Sequence, residues 1–163
     1  MMNKLCILPL VVAMLTALAF GACSGVNNDY SEYRNLNATG WRYADTLKFV
    51  PVHTDSLCWG HFVVAMRHDE TYQYKDCWLE VTSHDEAHRR GGVAVVRRDT
   101  VHFVLTDRFG NHTGHGIGAS FQLADTLPQV LHATGNPVAI KHIMRTDTLQ
   151  GVSQIGLFFV PSR

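Results

Sequence analysis

Residues 110–118 read GNHTGHGIG, placing His112 and His115 three positions apart among four glycines. Glycine-rich loops can cradle phosphate, and closely spaced histidines can hold a metal. A dinucleotide loop needs a strand before the glycines and a helix N-terminus after them. Here the following segment, ASFQLADTLP, is short and stops at Pro128. A Walker loop needs G-K-[ST], and no lysine occurs between Arg108 and Phe121. In extended chain, residues three apart point to opposite faces, so His112 and His115 are poorly placed for joint ligation. The preceding DRFG has Asp107 first and Gly110 fourth, the signature of a type I turn. The stretch therefore reads as a sheet corner, where a strand turns and returns bent or bulged.

The remaining reactive side chains are scattered. His84 and His88 are four apart, but HDEAHRRGG is too short and polar for a firm helix and reads as an exposed loop. Structural zinc takes four Cys/His ligands in recognisable pairs, which this spacing does not supply. No metal and no cofactor is expected, and the ten histidines read as scattered surface residues. No nucleophile stands in a G-x-S-x-G context, and the acidic residues form no legible pair for glycoside hydrolysis. The expectation is a protein without catalytic residues. Cys58 and Cys77 lie in apolar runs as inert thiols. A hairpin turning near residues 70–73 would set Cys77 opposite Met66, with Cys58 roughly 25 Å further along at strand rise. That is beyond disulfide reach, so two free thiols are expected.

The N-terminus supplies the most definite chemistry. Lys4, an apolar run from Leu5 to Phe20, and the small residues Gly21 and Ala22 precede Cys23. This is the order of a secretory signal, and Pro9 and the modest length argue against a permanent span. FGAC resembles a bacterial lipobox, which makes Cys23 the expected lipid-attachment residue. Residues 1–22 are then a lipoprotein signal peptide, 23–29 a tether, and 30–163 one domain. Several acyl chains on Cys23 would anchor stably where one gives marginal binding. The tether has no immediate acidic run, and a periplasm-facing position is expected. Lys4 leaves with the leader, so the 14 basic residues become 13 against 14 acidic ones. Such near-neutrality argues against nucleic acid as a partner.

The elements that position these residues are short runs of β-branched, aromatic and aliphatic residues between turn signals, with no convincing helix. TLKFVPVH alternates Leu47, Phe49 and Pro51 against Lys48 and Val50, and Pro51 suits an edge. WGHFVVAMRH, DCWLEVTS, VAVVRRDTVHFVLTD, NPVAIKHIMR and QIGLFFVPS follow. Val101, Phe103 and Leu105 share one face, and the last run is apolar enough to lie between two layers. The fold class is all-β: a β-sandwich of seven or eight strands, with a jelly-roll variant fitting about as well. Trp59 and Trp78 are expected in the core. Tyr72 and Tyr74 are expected exposed at a turn, where they offer a glycan contact. A carbohydrate-binding module of an envelope lipoprotein is therefore the alternative function.

Asp, then Thr or Ser, then an apolar residue recurs at Asp45, Asp55, Asp99, Asp125 and Asp147. Most copies read as a turn leading into a strand. Four segments then occur in order: YSEYRNLNATGWRYADTLKF, MRHDETYQYKDCWLEV, RDTVHFVLTDRFGNHTGHGIG and IKHIMRTDTLQGVSQIGLFF. Together with the lipobox cysteine they resemble the GldH family of gliding-motility lipoproteins. The resemblance implies a lipid-anchored outer-membrane protein facing the periplasm. It implies a non-catalytic scaffold or accessory subunit of the gliding and associated secretion machinery, with other envelope proteins as partners. It also implies that the recurring tripeptides resemble acceptors for O-glycosylation, at Thr46, Ser56, Thr100, Thr126 and Thr148.

Overall fold

In the strand WGHFVVAMRHD every second residue from Gly60 to His68 is buried, so one face must meet a second layer. A computed structural model describes residues 30–52, 58–85, 95–133 and 135–162. Cys23, the expected lipid-attachment residue, lies outside them with the expected signal and tether, as do Ser56 and His88. The strands are β1 (Ser31–Asn35), β2 (Trp41–Arg42), β3 (Leu47–Phe49), β4 (Trp59–Asp69), β5 (Asp76–Asp85), β6 (Val95–Val104), β7 (His115–Ile117), β8 (Ser120–His132), β9 (Val138–His142), β10 (Thr148–Leu149) and β11 (Val152–Pro161). Seven have five or more residues, and four are fragments of two or three.

Two antiparallel sheets carry the architecture, in the orders β1-β11-β4-β8-β7 and β3-β9-β5-β6, and β10-β2 forms a small third ladder. The inward residues Phe62, Val64 and Met66 of β4 stand beside Phe159, Leu157 and Ile155 of β11. They join Leu79 and Val81 of β5, Val101 and Phe103 of β6, and Ile140 of β9 in one buried cluster. This is the all-β sandwich expected from the alternating runs.

Several local expectations are corrected. Strands β4 and β5 form no hairpin, because β4 belongs to the five-stranded sheet and β5 to the four-stranded one. The connection between them crosses the end of the sandwich, yet Cys58 and Cys77 are both free thiols. Burial pushes the Cys77 thiol up to about 12. Tyr72 swings inward at that crossing and is 5% exposed, its hydroxyl donating to the Asp76 carbonyl at 2.8 Å. Gly151, with φ +80°, lies against its backbone, where an added Cβ would sit 2.4 Å from the Tyr72 nitrogen. Trp59 and Trp78 fall on the outward register of their strands and are 52% and 40% exposed. The longest strand, β8, runs through Pro128, tolerated because the register against β4 slips between His61 and Val63. The outer side of β11 is only partly covered: Phe158 packs edge-on against Tyr33, while Val160 is half exposed.

The glycine-rich stretch behaves as the turn signal indicates. Asp107 accepts hydrogen bonds from the Phe109 and Asn111 amides at 2.7 and 2.9 Å, and Gly110 closes the turn onto the Asp107 carbonyl. The returning chain bridges His112 to Thr106, then leaves the four-stranded sheet to pair as β7 with β8.

Two histidines are corrected from surface to core. His68 and His142 are both fully buried. Burial holds each imidazole below its usual range, with neighbouring His112 adding to the effect at His68. An unfolded histidine titrates near 6.5, so these two favour the folded state above about pH 6.5 and lose that contribution as pH falls through their lowered values. Each costs up to about 1.4 kcal/mol per pH unit within its window. The thermal midpoint should therefore drop between neutral pH and the mildly acidic range, and His68→Phe should flatten the drop. A midpoint indifferent to pH there would refute this.

Candidate functional surfaces

The outer face of the five-stranded sheet carries a row to which all five strands contribute. Register places Asn35, Gln154, Arg67, Gln122 and His115 side by side. The side chains are linked. Arg67 Nε donates to Gln122 Oε1 at 2.8 Å, and Nη1 donates to Gln154 Oε1 at 2.7 Å. Gln154 Nε2 donates to Asn35 Oδ1 at 2.6 Å. The Arg67 guanidinium lies 4.7 Å from the Tyr33 ring centroid, a cation–π distance. Tyr33 can lie flat beside the row because position 156 is glycine: an added Cβ would meet its ring at 2.6 Å. Two open grooves adjoin the row beside β7, of ≈ 340 and ≈ 620 Å³.

The opposite face, on the four-stranded sheet, presents Trp78. Its ring stacks on His102 at 3.9 Å and 11° between planes, and His102 Nε2 lies 3.2 Å from Asp76 Oδ2. Lys141 pairs with Glu80 at 3.1 Å alongside. Both faces went unread in the sequence, because the outward register of a strand is visible only once the inward one is fixed.

The expected site residues are not brought together. Tyr72 is buried and closes the end of the core, so it offers no face to a glycan; Tyr74 is 40% exposed and packs edge-on against it. Thr46 is exposed in the turn before β3, and Thr148 is half-buried at the start of β10. Thr100 and Thr126 are exposed but lie inside β6 and β8, so those two tripeptides are among the copies that are not turns. His112 packs inward against Phe121 and His68, whereas His115 is exposed. Among the described residues no group of three or more His, Cys, Asp or Glu can hold a metal ion. Among the described residues there is no helix long and apolar enough to cross a membrane.

These features define an antiparallel β-sandwich whose distinctive chemistry is spread over two outer faces. The chain belongs to the GldH lipoprotein family, whose model matches residues 28–158. That span contains all four segments on which the resemblance rested except the last residue of the fourth. The family is one of gliding-motility-type lipoproteins, lipid-anchored in the cell envelope, and is not a known family of enzymes. No curated protein matches the chain.

Proposed function

We propose that this protein is a non-catalytic accessory or scaffold subunit of the gliding-motility and associated secretion machinery. In this reading Cys23 holds it at the outer membrane with the sandwich facing the periplasm. The observation that carries the reading is the family match over residues 28–158, which begins five residues after the lipobox cysteine. A short tether then separates the acyl chains from a sandwich that has flat, polar outer faces to offer other envelope proteins.

Deletion of the gene in the native host is expected to abolish gliding or protein secretion, with restoration by the wild-type chain. A deletion strain that glides and secretes normally would overturn the proposal. The glycan-module alternative loses Tyr72 to the core, and of its two tyrosines only Tyr74 retains an exposed face.

A further inference from the structure

We propose that the outer face of the five-stranded sheet binds an acidic sugar through its carboxylate, with Arg67 as the anchoring cation. Arg67 is held unusually well for a cation without a counter-charge. Its two hydrogen-bond acceptors, Gln122 and Gln154, are neutral amides, and its third contact is the Tyr33 ring. Arg34, Arg42 and Lys141 each pair with a carboxylate; Arg67, half-buried, pairs with none among the described residues. The closest acid along its strand face is Asp69, whose Oδ1 accepts from the Thr71 amide at 2.8 Å and the Thr71 hydroxyl at 2.5 Å. Taking a guanidinium partly out of water without an anion is costly, and an arriving carboxylate would offset that cost.

The geometry also selects the ligand. Nε and one Nη1 hydrogen are committed to the glutamines, which leaves the Nη1/Nη2 end of the planar fork for two parallel bonds to a carboxylate. Arg67 lines the ≈ 340 Å³ groove together with His115, Gly116, Ser120 and Gln122. One fixed positive charge with Asp69 nearby suits a monoanion better than a doubly charged phosphate. The second groove, ≈ 620 Å³, shares His115, Gly116 and Gln122 with the first and continues past Leu123 and Ala124. That space accommodates a sugar ring, with Ser120 and the free amide hydrogens of Gln122 placed to meet its hydroxyls. The site lies on the sheet itself, so it stands or falls independently of anchoring through Cys23.

The test is a titration of the full chain in detergent with sodium glucuronate, glucose and inorganic phosphate, following the Arg67 Nε–H and glutamine side-chain amide resonances. Glucuronate should shift these signals saturably, while glucose at the same concentrations should not, and phosphate should bind more weakly. Arg67→Gln should abolish the response. Should that variant fail to fold, Arg67→Lys decides, since lysine keeps the charge but lacks the planar donor pair; binding should fall about tenfold or more. The proposal is overturned by glucose matching glucuronate, by phosphate exceeding it, by no saturation with any probe, or by undiminished binding in either variant.

Discussion

Trp41→Ala is expected to cost the domain about 3–5 kcal/mol, a large share of its stability. Trp41 is 1% exposed and starts the two-residue strand β2, whose partner β10 contributes the fully buried Leu149. Its indole Nε1 donates to the Asp45 carbonyl at 3.0 Å, and its ring packs edge-on against His142, whose Nε2 lies 3.1 Å from the Trp41 carbonyl. Truncation leaves a cavity that the short ladder cannot close and strips packing from a buried histidine. Large-to-small changes of this kind cost about 3–5 kcal/mol, against a total stability of about 5–15 kcal/mol for typical domains. Trp41→Phe keeps most of the volume and loses the indole bond, worth about 1 kcal/mol. Denaturant unfolding of the three proteins checks the order; an alanine variant within about 1 kcal/mol of wild type would show that the small ladder does not hold the core.

The second large effect is all-or-none. Wild-type chain expressed in its host should incorporate labelled palmitate, and Cys23→Ser should incorporate none. Cys6→Ser, in the leader, should label normally. The physical basis is that two or more acyl chains turn marginal membrane affinity into stable anchoring, and Cys23 directly follows the Gly21–Ala22 pair. Label retained by Cys23→Ser, or absent from the wild type, would remove the anchor from this account.

The all-β class was legible because β6 alternates, with Val101 and Phe103 buried as their spacing requires, and because β4 is a short apolar run whose Phe62, Val64 and Met66 face the core. The corner at residues 107–118 was legible because Asp107 and Gly110 are turn residues with a local mechanism. What stayed hidden depended on partners distant in sequence. Tyr72 reads as a turn residue, and only the crossing between sheets drives its ring inward. Trp78 reads as core by hydrophobicity, and only the register that pairs its neighbours Cys77 and Leu79 with Phe103 and Val101 turns it outward onto His102. Strand β8 was missed because Pro128 is a breaker in isolation and harmless at a bulge. The Arg67 row assembles from strands as far apart as Asn35 and Gln154, so no local motif could announce it.

The most direct measurement of the central claim is crosslinking from the anchored protein in its native envelope, using a photoreactive residue at exposed outer-face positions such as His115 and Trp78, followed by identification of what is captured. The account predicts a reproducible adduct with another envelope protein from at least one face, lost when the gliding or secretion machinery is deleted. Capture of lipid alone, with no reproducible protein from either face, would contradict it.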